Sequence, residues 1–360
     1  MSPAKVRVLV IDDSAFNRRS IVKMLESLPN VDVIGYACDG EEGLRKVIDL
    51  RPDLITLDLE MPRMDGFTLL RIVMQKQPTP IIVVSSRSDD EDVFKALELG
   101  AVEFVPKPSS KVSPILMDIR EELLEKVREV TRANLKNVMA HSKTAGKQRD
   151  NLPKRAARLN ALTDAARGDF RMVVIGSSTG GPPALQSIFS AIQEEIPVAF
   201  AVAQHMPPDF TRTFAERLNR FSALKIREAA NGDVVRPGEV LIAPGGKNLE
   251  FFPKGTDVIA KVSEPKGHQR YLPSVDSLFS SAATIFGRRL LGVVLTGMGN
   301  DGAMGVHAIK HNGGTAFAEA EESCVVFGMP KEAIATGLVD RVVVLPQVCK
   351  EILLHCGCGS

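Results

Sequence analysis

The sequence predicts two successive α/β domains: a five-stranded, flavodoxin-like parallel sheet, then a larger doubly wound domain whose sheet is mixed but mainly parallel. Three observations predict it. Short continuous apolar segments alternate with helical patterns from Val6 to Lys107, and the alternation restarts at Arg171. Between the two halves, Thr131 to Gly168 carries nine Lys/Arg against two Asp and no aromatic residue. A chain of 360 residues is also longer than one hydrophobic core usually organises.

In the first half the strands read VRVLVID, VDVIGYA, LITLDL, PIIVVSS and AVEFVPKP, with helices from Ser14, Gly40, Gly66 and Asp90 between them. Apolar runs without polar alternation are buried on both faces, as in a parallel sheet covered by helices. This domain is placed at residues 1–125. A helical pattern continues through ILMDIREELLEKVREV, so residues 126–168 are read as a helical extension and a solvated basic linker. The second domain, residues 169–352, opens with RMVVIGS, a helix after Pro182, VAFAVAQ and a helix after Asp209. LKIREA, EVLIAP, DVIAKV, a helix through SVDSLFSSAATIF and LGVVLTG come next, then a helix after Asp301, TAFAEA and VVVLP. Residues 353–360 are left as a fraying tail.

Composition narrows the functional classes. Lys plus Arg (45) nearly cancel Asp plus Glu (44), so no global field draws the chain to nucleic acid or to an anionic membrane. The five cysteines are scattered without a disulfide framework, which fits a reducing cytoplasm. No signal-peptide body follows the N-terminus and nowhere do about 18 apolar residues run together. The expectation is a cytoplasmic protein that is neither exported nor inserted in a membrane.

Two clusters of strand-end residues carry chemistry. In the first domain Asp12 and Asp13 follow the first strand, Asp58 the third, Ser85 the fourth and Lys107 the fifth. Carboxyl ends of parallel strands converge on one edge, where doubly wound sheets bind ligands. Carboxylates crowded there need a hard cation, so Mg²⁺ held by Asp13, Asp58 and a backbone carbonyl is expected, with Asp12 behind them. Lys107 and Ser85 then face the oxygens of a phosphoryl group on Asp58. IDDS, LDLEMPRMDG, VVSS and FVPKP resemble the receiver domain of bacterial response regulators over about residues 1–125. The resemblance implies phosphorylation of Asp58 by a histidine kinase, Ser85 and Phe104 as switch residues, and a cis bond at Lys107-Pro108.

In the second domain GSSTGG (Gly176–Gly181) joins a strand to a helix. It lacks the Lys-Ser/Thr of a P-loop and the G-x-G-x-x-G spacing, so it is read as a turn that lifts a serine to the sheet edge. His205 ends the next strand and Asp301 follows a later one; alone, the first is commonly a packed histidine and the second a helix cap. Together the three types are what a hydroxyl nucleophile requires. Their order, Ser, His, Asp, differs from that of the α/β-hydrolases. GSSTGG, QHMPPDFT, LIAPGG, PSVDSLF and LTGMGNDGA resemble the catalytic domain of the chemotaxis protein-glutamate methylesterases, which also act as protein-glutamine glutaminases, over about residues 170–350. Counting from Thr179-Gly180-Gly181, the resemblance implies Ser178 rather than Ser177 as nucleophile, His205 as base and Asp301 as its orienting carboxylate. It also implies an oxyanion donor at the Met298 N–H, with Thr179 beside the nucleophile. Methyl-accepting chemoreceptors would be the substrate and a chemotaxis kinase the phosphodonor, with no cofactor for the hydrolysis itself.

A DNA-binding output domain is the rival of another class, but the second half shows no basic helix-turn-helix pattern. His307 and His311, spaced i, i+4, lack H-E-x-x-H and are read as a solvated helix face.

Overall fold

Burial over the last four residues of β1 (Val6–Ile11) marks the first sheet: Val8 to Ile11 are all buried, so both faces of this stretch are covered. The computed structural model describes residues 5–86, 90–107, 119–132, 170–265, 267 and 269–358. It divides into two units, Met1–Arg149 and Asp150–Ser360. In the first unit β1 is followed by α1 (Ala15–Leu25), β2 (Val31–Ala37), α2 (Gly40–Leu50), β3 (Leu54–Leu57) and α3 (Gly66–Lys76). Then come β4 (Ile81–Ser86), α4 (Asp90–Glu98), β5 (Glu103–Lys107) and α5 (Arg120–Arg132). Ser14, Asp39 and Asp65 start α1, α2 and α3 by accepting the amides of Asn17, Glu42 and Thr68. The strand order is β2-β1-β3-β4-β5 and every pairing is parallel. The order reverses between β1 and β3, which opens the ligand crevice of a doubly wound sheet at their carboxyl ends.

The second unit runs β6 (Arg171–Ser177), α6 (Gly181–Ser190), β7 (Val198–Gln204), α7 (Phe210–Phe221), β8 (Lys225–Glu228) and β9 (Glu239–Ile242). It continues through β10 (Asn248–Lys254), β11 (Asp257–Ser263), α8 (Val275–Phe286), β12 (Leu290–Val294) and α9 (Ala303–His311). The last elements are β13 (Thr315–Glu319), α10 (Met329–Ala335), β14 (Arg341–Val343) and α11 (Leu345–Cys356). Seven strands lie in the order β14-β13-β12-β6-β7-β9-β8, again paired in parallel throughout. The antiparallel component is a separate hairpin, β10 with β11, closed by a two-residue turn in which Gly255 has φ 62°. Here β6 is the switch strand: β7 lies on one side and β12 on the other, so three strand ends meet. Register aligns Ser177 with Gln204 and Gly176 with Val294.

α11 runs on to Cys356, past the point where the tail was expected to fray. Leu345, Val348, Cys349 and Ile352 bury one face of it, and left-handed Gly357 ends it. The expected cis bond at Lys107-Pro108 and the basic linker beyond Arg132 lie outside the described residues. Among the described residues no helix is long and apolar enough to cross a membrane.

Candidate active site and phosphoacceptor pocket

The carboxyl ends of β1, β3 and β5 bring Asp12, Asp13, Asp58 and Lys107 together. Asp12 and Asp58 are buried and Asp13 is exposed; one carboxylate oxygen of each lies within 4.8 Å of the others. The Lys107 ammonium sits 2.5 Å from Asp58 Oδ2 and 2.9 Å from Asp12 Oδ2. Burial pushes the Asp58 carboxyl up to about 6, with the Asp12 and Asp13 charges adding to it and Lys107 opposing. Asp12 is raised by burial too, partly offset by Lys107. Burial works against the Lys107 charge, but Asp12 and Asp58 outweigh it and hold the ammonium above its ordinary range. Buried Asp12 Oδ2 has the Lys107 ammonium as its neighbouring cation. Three carboxylates clustered this closely, one of them open to solvent, fit a hard divalent cation. Arg18 donates to the carbonyls of Asp12 and Asp13, at 2.7 and 2.8 Å, and so pins the turn that presents them.

Ser85 is buried at the end of β4, in register with Pro106. Phe104 is buried in β5, where Lys126 of α5 donates to its carbonyl and lies 4.9 Å over its ring. His307 and His311 are exposed on α9, and neither belongs to a candidate metal group among the described residues.

In the second unit Ser178 and His205 directly follow β6 and β7, and Asp301 closes the loop between β12 and α9. His205 Nε2 is 2.9 Å from Asp301 Oδ2. Asp301 is buried, and its two oxygens also accept the amides of Val275 at 2.8 Å and Asp276 at 2.9 Å, in the first turn of α8. Burial alone would raise its carboxyl; the His205 hydrogen bond and charge and these amides override that and hold it below the ordinary carboxylate range. Asp276 in turn accepts the amides of Gly302 and Gly305 at the start of α9. Burial, then the Asp301 charge, keeps Asp276 raised.

The two serines differ sharply. Ser177 is fully buried and donates its hydroxyl to Gln204 Oε1 at 2.7 Å. Ser178 is half-buried, its amide bonded to the Thr296 carbonyl at 3.0 Å. Gln204 Nε2 donates to the carbonyls of both Ser178 and His205 at 3.0 Å, and the His205 amide donates to the Ser177 carbonyl at 3.0 Å. The backbones of His205 and Ser178 are therefore tied together through Gln204. No direct hydrogen bond between the Ser178 hydroxyl and the ring is present among the described residues, and such bonds are often long before substrate binds.

Met298 lies in the Gly297–Asn300 turn that backs onto the serine: a Cβ at Gly297 would stand 2.7 Å from Ser178 Cβ. Thr179 is buried and its carbonyl accepts the Thr296 hydroxyl at 2.9 Å. Sequence reasoning missed Gln204, Asp276, Glu319 and Tyr271, although Gln204 stood beside His205 in the QHMPPDFT run. The Tyr271 ring lies parallel to that of His205, with centroids 5.2 Å apart and planes 5° from parallel. Its loop carries no periodicity that would signal the contact.

With this geometry in hand, comparison with known proteins is decisive. The CheB methylesterase family model matches residues 173–352, and the response regulator receiver domain model matches residues 8–117. The chain belongs to the CheB methylesterase family. It is 57% identical over 363 residues to a Geobacter sulfurreducens protein named protein-glutamate methylesterase/protein-glutamine glutaminase 3, covering 98% of each. A Myxococcus xanthus protein of the same name, numbered 1, is 47% identical over 348 residues, covering 96% of each. Among solved structures, the Thermotoga maritima CheB methylesterase catalytic domain matches with TM-score 0.50 at 39% identity, over 52% of this chain and 98% of that one. A hydrolase domain coupled to a receiver domain is thus the family's arrangement in this chain.

Proposed function

We propose that this protein is a phosphorylation-activated protein-glutamate methylesterase and protein-glutamine glutaminase acting in the cytoplasm on chemoreceptor helices. The observation that carries the reading is the His205–Asp301 bond at the strand ends beside Ser178. Because Nε2 faces the carboxylate, that nitrogen carries the proton and Nδ1 is the basic one. Ser178 Oγ attacks the γ-carbonyl of a glutamate methyl ester as Nδ1 takes its proton, and the Met298 N–H meets the oxygen that gains charge. The imidazolium, stabilised by Asp301, gives its proton to methoxide and methanol leaves. Water, deprotonated by Nδ1, then opens the acyl-enzyme to a glutamate; from a glutamine the leaving molecule is ammonia.

In the receiver, residues 1–125, Asp58 is the phosphoacceptor for a chemotaxis histidine kinase, and Lys107 pairs with the phosphoryl oxygens. Asp13 and Asp58 would hold Mg²⁺, which when bound offsets the charge of those oxygens. Phosphorylation then shifts a two-state equilibrium, through Ser85 and Phe104, toward the active form of the catalytic domain, residues 169–352, which follows the connector 126–168. The test is methanol release from methylated receptor membranes by the wild type and Ser178→Ala, with and without a small phosphodonor and Mg²⁺. Release that needs Ser178 and rises with phosphodonor is expected; release untouched by Ser178→Ala would move the nucleophile elsewhere.

A further inference from the structure

Among the described residues Asp301 is the hydrogen-bond partner of the His205 ring, at Nε2, and a single hydrogen bond at one ring nitrogen restrains the tilt of the ring plane weakly. A second constraint is needed to set the plane of the ring. Tyr271 supplies it. With centroids 5.2 Å apart and planes 5° from parallel, the two rings form an offset stack, the arrangement aromatic quadrupoles favour. The same side chain reaches the Gly297–Asn300 turn. Gly299 has φ 90°, and a Cβ there would stand 2.2 Å from the Tyr271 hydroxyl oxygen, so the phenol lies against the backbone next to Met298. One residue of an otherwise irregular loop thereby touches both the histidine ring and the turn behind the serine.

We propose that Tyr271 is a positioning residue for the general base, an inference that rests on the reading of His205 given above. The flat ring restricts the imidazole to the plane that aims Nδ1, and it covers one imidazole face against water. Its π-face also favours the imidazolium that forms as Ser178 is deprotonated. These effects belong to the ring and not to the phenol proton, and they act on the chemical step more than on substrate binding. An aromatic pair of this kind is worth roughly two- to tenfold in a rate, and misaligning the base adds to it.

The experiment measures kcat and KM for methanol release from methylated receptor membranes by the full-length protein with phosphodonor and Mg²⁺. It compares wild type, Tyr271→Phe, Tyr271→Leu and Ser178→Ala, with melting temperatures recorded for each. The expected result is a kcat about tenfold lower in Tyr271→Leu with KM within about threefold, and at least about half of the wild-type kcat in Tyr271→Phe. Should the leucine variant melt early, Tyr271→Met, unbranched and without a ring, takes its place under the same expectation. A full kcat in the ringless variant, a change confined to KM, or a phenylalanine variant as slow as the leucine one would overturn the inference while Ser178→Ala stays inactive. Activity surviving in Ser178→Ala would instead overturn the underlying reading of the site.

Discussion

Glu319 offers a prediction whose size follows from its surroundings. It ends β13, is fully buried, and has no cation in ion-pair contact among the described residues. Its Oε2 accepts the Thr296 amide at 2.8 Å and its Oε1 the Ser323 hydroxyl at 2.9 Å. Burial pushes its carboxyl from the ordinary 4.5 up to about 7, against the opposing pull of those two bonds. The folded protein therefore binds a proton that the unfolded chain has released between these values, so this contribution to stability is full below about pH 4.5 and lost as pH rises through 7. At about 1.4 kcal/mol per pH unit the loss approaches roughly 3 kcal/mol.

Glu319→Gln removes the titration and keeps the shape. The amide oxygen still accepts from Thr296, and the amide nitrogen donates to Ser323 Oγ, whose own proton turns to the Ala320 carbonyl, 3.2 Å away. The second amide N–H costs about 1 kcal/mol or more at every pH. Urea unfolding of the full-length wild type and variant at pH 5, 6, 7, 8 and 9 reads the difference, because the receiver transition is common to both. The wild type is expected to be the more stable at pH 5 and to lose roughly 3 kcal/mol relative to the variant by pH 9. Parallel stability curves would mean that Glu319 titrates normally, and that the burial argument is wrong.

Three further outcomes are expected at the sites themselves. Asp301→Asn keeps an oxygen for the Asp276 amide, but the N–H₂ it turns toward His205 Nε2 also replaces the oxygen that accepts the Val275 amide; the imidazole proton moves to Nδ1, kcat for methanol release falls about 10³-fold or more, and the unpaired buried amide costs about 1–3 kcal/mol of stability. Asp58→Asn abolishes labelling by a small phosphodonor, and Asp13→Asn raises the Mg²⁺ concentration for half-maximal labelling by about tenfold or more, both read as phosphate incorporated into protein.

What the sequence made legible was whatever repeats locally. β1, β3 and β4 carry apolar runs that end at Asp12, Asp58 and Ser85, and parallel pairing carries Asp12, Asp58 and Lys107 to one edge. The same logic placed Ser178, His205 and Asp301, since β6, β7 and β12 are adjacent. Contacts made by irregular backbone were not legible: Tyr271 meets His205 from a loop with no period. Glu319 was hidden by a different conflict. A carboxylate at the end of TAFAEA reads as the point where a strand leaves the core, yet its partners, Thr296 and Ser323, come from turns after β12 and β13 and keep it inside. β10 escaped notice because Pro253 and its polar neighbours interrupt an alternation that only pairing with β11 completes.

Asp301 shows why two readings of one residue need not compete. An aspartate after a strand and before a helix suggests an N-cap, and Asp301 is indeed bonded to helix amides. They belong to α8 and not to the helix that follows it; α9 is capped by Asp276 of α8, so each helix start is tied to a carboxylate on the other segment. The positive end of α8 favours the Asp301 anion by the same force that stabilises any capped helix. On the proposed mechanism, an anion held this way stays ionised while His205 takes up and releases a proton, and it keeps the proton of the neutral ring on Nε2. On that mechanism the cap that orders the backbone also sets the tautomer of His205, so the stability of this corner and the proposed chemistry beside Ser178 would depend on the same hydrogen bonds.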